Sequence, residues 1–234
     1  MGTTVPFHVF AILDGNRRWA EKEGLPRFMG HEHGYETLKQ ILPKLTSLGI
    51  THFTFWALSL NNLNRSKEEV QKLFELLSVG LEELRTSDII KRDKIRMRFA
   101  GSFDSNYLPE EIMRVMKDTE HATRKNNGPK LTMLIAYDGE EEMRDAFQHL
   151  LRTYNRDADI TIEAIRSALQ THYLPPMDLV IRTGGEPHMS AGMPLLHMRE
   201  SYMYFTNTLW PDFTLEELSL AVTKAKTRER RNGK

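Results

Sequence analysis

The sequence has no cysteine. That excludes a disulfide framework, a thiolate metal centre and a cysteine nucleophile together. No apolar run approaches the ~20 residues that a membrane-spanning helix needs. Neither sign of charge dominates, because Lys plus Arg and Asp plus Glu both total 32. A balanced chain is a poor general polyanion binder, so nucleic acid is not an expected partner. The sequence holds neither a Walker-type G-x-x-x-x-G-K-[ST] loop nor a G-x-G-x-x-G turn. The two commonest nucleotide cradles are therefore missing. There is no signal-peptide apolar region, and Pro6 stands where a myristoylation motif wants Ser or Thr. A cytoplasmic enzyme is the default.

What is present is an ordinary globular composition, 40% hydrophobic and 27% charged over 234 residues. Such a chain buries a full core without staples. No repeat, low-complexity segment or linker divides it, so 1–234 reads as one domain. Val9-Phe10-Ala11-Ile12-Leu13 reads as a buried strand, followed by a helix over Arg17 to Glu23. Helical periodicity runs through Tyr35, Leu38, Ile41, Leu42 and Leu45. Ile50 to Leu60 alternates and then turns solidly apolar, as a central strand does. Ser66 with Glu69 is a capping-box pattern opening a helix with Val70, Leu73, Phe74, Leu77 and Leu81 on one face. Ile95 to Ala100, Lys130 to Tyr137, Met177 to Ile181 and Tyr202 to Phe205 read as further strands. Tyr107 to Arg124, a stretch marked by Met143, Phe147, Leu150 and Leu151, Ile160 to His172, and Leu215 to Arg228 read as helices. This alternation predicts an α/β fold: a mostly parallel sheet of about six strands with helices on both faces.

The polar segments share one position in that pattern. Asp14 to Trp19, Ser59 to Arg65 and Arg182 to Ser190 each follow the carboxyl end of a predicted strand. In an open α/β sheet ligands bind at that edge. Gly15 permits a tight turn or close approach of a ligand to the backbone. Arg17 and Arg18 add positive charge next to the Asp14 carboxylate. An acid beside an anion-binding turn makes chemical sense if Mg²⁺ bridges them, since Mg²⁺ takes one or two carboxylates plus phosphate oxygens. Alone, the first segment is equally an Asp-Gly-Asn turn with Asp capping the helix. Three such segments at one edge describe a diphosphate site with one metal-binding acid.

Four motifs in order, Asp14-Gly15-Asn16-Arg17-Arg18-Trp19-Ala20, Gly30-His31 with Gly34, Arg182-Thr183-Gly184-Gly185-Glu186 and Leu209-Trp210-Pro211-Asp212-Phe213, resemble the cis-prenyltransferases, the undecaprenyl diphosphate synthase-like enzymes. The resemblance runs from about Phe7 to Gly233. It implies a homodimeric α/β fold with a hydrophobic tunnel. It also implies Mg²⁺-dependent condensation of an allylic diphosphate with isopentenyl diphosphate to a Z-configured product. By matching position, Asp14 holds Mg²⁺ and assists departure of the allylic diphosphate. Gly15, Asn16, Arg17, Arg18, Trp19, Arg27 and His31 belong to the allylic site. Asn62 acts near the proton that is lost, with Ser59, Leu63 and Arg65 beside it. Arg182, His188 and Ser190 match the isopentenyl diphosphate clamp. Arg231 and Gly233 match a tail that reaches across the dimer in part of the family.

The chain departs from the family pattern mostly on the isopentenyl side. Asn61 replaces a Glu, Leu63 a Trp, and His188 the second clamp arginine. Tyr137-Asp138-Gly139-Glu140 lacks the basic residue of Tyr-Gly-Gly-Arg. The family's metal-associated glutamate falls on Ser201 counted from Ser190 and on Tyr202 counted from Trp210. The nearest carboxylate, Glu200, is the candidate second metal ligand. These departures raise an alternative, the head-to-middle joining of allylic units performed by lavandulyl-type synthases. A non-catalytic partner subunit is a third reading, but such partners lose the first-motif Asp, and Asp14 is present.

Several features carry two readings. Met189, Met193, Met198 and Met203 suit a prenyl pocket, since Met adapts to flexible tails, or plain core packing. Leu73, Phe74, Leu77 and Leu81 suit a tunnel floor or a buried helix face. Asn is a poor Brønsted base, so Asn62 reads as a positioning group. His31 reads as a diphosphate hydrogen-bond donor or a structural histidine. Arg228, Arg230, Arg231 and Lys234 read as a solvated helix end with at most peripheral attraction to a membrane surface.

Overall fold

A computed structural model describes residues 5–155, 159–190 and 192–228 of the chain. Six strands, β1 (His8–Ile12), β2 (His52–Ser59), β3 (Arg96–Ala100), β4 (Lys130–Tyr137), β5 (Leu179–Arg182) and β6 (Tyr202–Phe205), form one sheet. The order is β3-β4-β2-β1-β5-β6 and every neighbouring pair is parallel. Strands buried on both faces read as unbroken apolar runs, which is why β1, β4 and β5 were plain in the sequence. Along β1 the side chains alternate between two cores. Val9 and Ala11 join the larger one, with Phe53, Phe55, Leu179 and Ile181, and Phe10 and Ile12 join the smaller one.

Eight helices are described: α1 (Asn16–Lys22), α2 (Arg27–Ile41), α3 (Lys67–Thr86), α4 (Asp88–Arg92), α5 (Glu110–Thr123), α6 (Gly139–Thr153), α7 (Ile162–Ala168) and α8 (Leu215–Thr227). The larger core takes Leu38 and Ile41 from α2, Leu81 and Leu84 from α3, Ile112 and Val115 from α5, and Leu218 and Val222 from α8. Each such side chain contributes about 1.5–3 kcal/mol of burial. Among the described residues no helix is long and apolar enough to cross a membrane.

Helix starts differ from the sequence expectation where packing or proline decides them. Periodicity points to a helix from Tyr35, yet α2 begins at Arg27 behind an N-cap Pro26. Its first turns carry Gly30 and Gly34 because α1 lies against them. A Cβ would stand 1.9 Å from Asn16 O at Gly30 and 2.2 Å from Asn16 Oδ1 at Gly34. The helix expected from Tyr107 starts at Glu110, after Pro109. The Ser66 capping box is half formed: Ser66 Oγ accepts the Glu69 N–H, while the Glu69 carboxylate turns to arginines. A complete box sits just upstream, where Ser59 and Asn62 cap a 3₁₀ turn over Leu60–Asn64.

The strand order fixes where a ligand can sit. The chain leaves β1 toward β2 and leaves β5 toward β6, although β1 and β5 are neighbours. Their carboxyl ends therefore flank a crevice, the usual binding position in open α/β sheets. Asp14 follows β1 and Arg182 ends β5.

Candidate active site

Across that crevice Arg182 donates from Nη2 to Asp14 Oδ2 at 3.3 Å, and Arg18 donates from Nη2 to Asp14 Oδ1 at 3.1 Å. Arg182 is buried and Asp14 one-third exposed, so the carboxylate faces the opening. The Asp14 backbone is fixed from behind. Its carbonyl accepts from Thr183 Oγ1 at 2.7 Å and from Trp210 N at 3.0 Å. The Trp210 indole donates to Gly34 O at 2.8 Å, and its ring stacks on Phe213. Leu209 to Phe213 is thus a plug that holds Asp14 and α2 in place. Gly15 turns the chain with φ +109°, a conformation costly for other residues, and a Cβ there would stand 3.0 Å from the Leu209 backbone.

Cations and unpartnered polar atoms line the opening. Glu69 accepts from Arg65 at 2.9 Å and lies 3.5 Å from Arg17. Arg18 also donates to Gly184 O at 2.6 Å, which joins α1 to the loop after β5. Arg182 Nη1 donates to Ser190 Oγ at 2.8 Å and to His188 O at 2.9 Å. Asn16 Oδ1, Arg17 Nε, His31 Nε2 and Arg182 Nε are buried without a hydrogen-bond partner from the protein, Arg17 Nε having only the longer ion-pair contact with Glu69. Buried polar groups are rarely left so, and such a cluster of mostly donors marks an anion position. Burial, then the Arg65 charge, push His31 down to about 4, so the imidazole is neutral near pH 7.

Below this polar mouth lies an apolar cavity, the whole cleft having a volume of about 860 Å³. That is at the upper end of the roughly 300–1,000 Å³ of small-molecule sites. Phe55 and Ala57 of β2 and Met133 of β4 form one wall, and Leu38 of α2 with Leu73, Leu76, Leu77, Leu81 and Leu84 of α3 the other. Leu73, Leu77 and Leu81 therefore line the cleft, whereas Phe74 packs against the core.

Asp14, Gly15, Asn16, Arg17, Arg18, His31, Ser59, Asn62, Arg65, Arg182 and Ser190 come together here. Asn62 Oδ1 accepts the Ser59 N–H at 3.2 Å, so that oxygen is engaged in the cap. Other expected residues lie elsewhere. Trp19 lies against His33 with the rings tilted and donates to Asp212, Arg27 pairs with Glu21, and Leu63 packs against the core. The His188 side chain is exposed, 3.8 Å from Glu186, and only its carbonyl serves the site. Glu200 is 64% exposed, faces Arg228 at 3.4 Å and precedes β6. In a parallel sheet that is the amino edge, opposite Asp14, so within one chain Glu200 does not join Asp14 as a metal ligand. Met193 is buried in the smaller core with Met198 and Met203 packed on it, and Met189 is exposed, so these four methionines do not line this cleft. Arg230, Arg231, Gly233 and Lys234 lie outside the described residues.

The sequence reading passed over Glu69 as a ligand of two arginines, although its place four residues after Arg65 on a helix start was visible. It also missed Thr183 as the anchor of Asp14. Asp138 and Glu140 add carboxylates to the rim, and Asp138 caps α6.

Comparison with known proteins identifies a family. Residues 12–233 match a family described as "Putative undecaprenyl diphosphate synthase". A tritrans,polycis-undecaprenyl-diphosphate synthase (GGDP specific) of Sulfolobus acidocaldarius is 35% identical over 97% of this chain and 88% of its own. An isoprenyl transferase of Aquifex pyrophilus is 36% identical over 100% and 98%. Among solved structures, lavandulyl diphosphate synthase from Lavandula x intermedia, in complex with dimethylallyl diphosphate, superposes with a TM-score of 0.86 at 31% identity, covering 98% of each chain.

Proposed function

We propose a reaction for this cleft from one premise: the chain belongs to the undecaprenyl diphosphate synthase family of cis-prenyltransferases and is a prenyltransferase. The reaction is condensation of an allylic diphosphate with isopentenyl diphosphate to a longer, Z-configured prenyl diphosphate. One observation carries the reading. A mouth of arginines and unpartnered buried polar atoms opens onto a leucine-lined cavity, which matches a diphosphate head on a hydrocarbon tail.

The residues divide the work. Arg17, Arg18, Arg65 and His31 bind the allylic diphosphate. Arg182 and Ser190, already bonded to each other, bind that of isopentenyl diphosphate. When the allylic C–O bond breaks, its electron pair leaves with diphosphate and the arginines stabilise that charge. The isopentenyl double bond then attacks the allylic carbon, and a proton is lost from the isopentenyl unit. Departing diphosphate accepts it, because the Asn62 oxygen is held by the Ser59 N–H and amides are poor bases. Leucine walls keep water from the cation. Asp14 with substrate phosphate oxygens suits Mg²⁺, which commonly takes one or two carboxylates. Among the described residues no group of three His, Cys, Asp or Glu side chains stands ready to hold a metal, so Asp14 would hold Mg²⁺ together with substrate phosphate oxygens and water. Bound there, Mg²⁺ supplies further charge stabilisation to the leaving diphosphate.

A second reading is head-to-middle joining of two allylic units. Two observations favour it: the likeness to a lavandulyl diphosphate synthase, and a His188 side chain turned away from the position of the clamp. Incubation with dimethylallyl, geranyl and farnesyl diphosphates, with and without isopentenyl diphosphate, separates the two. Products that require isopentenyl diphosphate support the first reading, and branched products without it support the second. The family resemblance supports a homodimeric, cytoplasmic enzyme, and light scattering of the purified chain tests the dimer.

A further inference from the structure

The two sides of the polar mouth differ in charge. The allylic side carries Arg17, Arg18 and Arg65. The isopentenyl side has Arg182, whose charge is already shared with Asp14 at 3.3 Å. On the same rim stand two carboxylates, Asp138 and Glu140, at the turn from β4 into α6. Packing ties that turn to Ser190. Ser190 and Gly192 belong to one turn, closed by Met193 N donating to Ser190 O at 3.1 Å, and Gly139 N donates to Gly192 O at 2.9 Å. A Cβ at Gly192 would stand 2.9 Å from Asp138 Oδ2 and from the Trp56 ring, so the turn carrying Ser190 lies directly against the acid. A helix start that faces a cleft offers free N–H groups to an anion. Here Asp138 takes them itself: its Oδ1 accepts from Glu140 N at 2.9 Å and from Glu141 N at 3.3 Å. Acids in a first turn also complement the helix dipole. Glu141 and Glu142 do that without lining the cleft, and Glu141 pairs with Arg144. Among the described residues Asp138 and Glu140 have no cation within ion-pair distance.

We propose that Asp138 and Glu140 are specificity-determining residues, whose carboxylates hold down the affinity of the isopentenyl side for a fully charged diphosphate. A site discriminates by repulsion as well as by attraction. Two fixed negative charges beside one shared arginine penalise a second substrate in proportion to its charge. The condensation product keeps the isopentenyl diphosphate, so a weak hold here favours its departure from this side. The inference rests on the assignment of Arg182 and Ser190 to isopentenyl diphosphate.

The test is binding without turnover. The full chain is saturated with an unreactive allylic thiolodiphosphate at fixed Mg²⁺, then titrated calorimetrically with isopentenyl diphosphate or isopentenyl monophosphate. Glu140→Gln, and Asp138→Asn, whose amide oxygen still caps α6, are each expected to bind the diphosphate about three- to tenfold more tightly than wild type, with a smaller gain for the monophosphate. Glu140→Arg should gain more than either, and all gains should shrink in high salt. Thermal unfolding checks that each variant folds. If Asp138→Asn does not, the two Glu140 variants decide, because that side chain is exposed. An unchanged diphosphate affinity, or an equal gain for both ligands, in the folded variants overturns the charge role alone. No binding of either ligand by wild type and by Glu140→Arg overturns the assignment of the isopentenyl side, and the inference with it.

Discussion

Replacing Asp14 with alanine separates a catalytic acid from a structural one. The variant loses two charge-assisted bonds, from Arg18 at 3.1 Å and Arg182 at 3.3 Å. Arg18 is exposed enough that its pair is worth only about 0–1 kcal/mol. Arg182 is buried, and stripping a buried charge of its partner costs about 3–5 kcal/mol when nothing replaces it. Here Arg182 keeps Ser190 Oγ and His188 O, and Asp14 is one-third exposed, so water enters where the carboxylate was. The backbone bonds from Thr183 and Trp210 to Asp14 O do not involve the side chain. The net loss should therefore be about 1–2 kcal/mol, against total stabilities of roughly 5–15 kcal/mol. For a chain of this size that lowers Tm by roughly 2–8 °C. Turnover should fall far more. Losing one preorganised electrostatic group commonly costs about 10²–10³ in kcat, and Asp14 also supplies the metal contact. The assay pairs thermal unfolding with steady-state kinetics over a Mg²⁺ series. A folded variant within tenfold of wild-type kcat refutes the assigned role, and a variant unfolded at room temperature refutes the energetic reasoning.

Three further outcomes follow from the geometry. Gly34→Ala places a methyl 2.2 Å from Asn16 Oδ1 and 2.7 Å from the Trp210 ring, and such overpacking costs roughly 1–3 kcal/mol. Tm and activity should fall together, and unchanged values would remove the plug from the account. Buried His8 is pushed down to about 3 and His52 and His197 to about 4, with burial the first cause in each. The unfolded chain takes up protons below about 6.5 while the folded one resists, so stability should drop as pH falls from about 6.5 toward 4. A pH-independent Tm across that window, or an equal slope in His8→Gln, contradicts this. Because the His188 side chain turns toward Glu186 and away from the clamp, His188→Arg should leave KM for isopentenyl diphosphate unchanged, and a marked fall in KM would place this side chain in the clamp.

What the sequence made legible was governed by period and punctuation. Strands β4 and β6 matched residue for residue because apolar runs between turn residues have few other solutions. The three polar segments could be placed at one sheet edge because parallel strands share a direction. Less was visible where a partner distant in sequence sets the outcome. Gly30 and Gly34 weaken helical periodicity, and only the Asn16 contact explains them. Glu69 reads as a capping-box residue in the sequence, and the fold brings Arg17 and Arg65 against its carboxylate. Glu200 was near the expected position by count, yet the register of β6 puts it at the opposite edge. Periodicity alone shows the cleft only as an apolar helix face, and the expectation of a tunnel comes from the family resemblance, since the gap between α2, α3 and the sheet follows from packing.

The central claim is that this cleft transfers an allylic prenyl group to isopentenyl diphosphate. The most direct measurement follows ¹³C-labelled isopentenyl diphosphate into product made with farnesyl diphosphate and Mg²⁺, and reads the new double bond by NMR. The account predicts label in a Z-configured unit next to the diphosphate, and none once Mg²⁺ is chelated. An E-configured unit, a branched product without label, or product formation unaffected by chelation would contradict it.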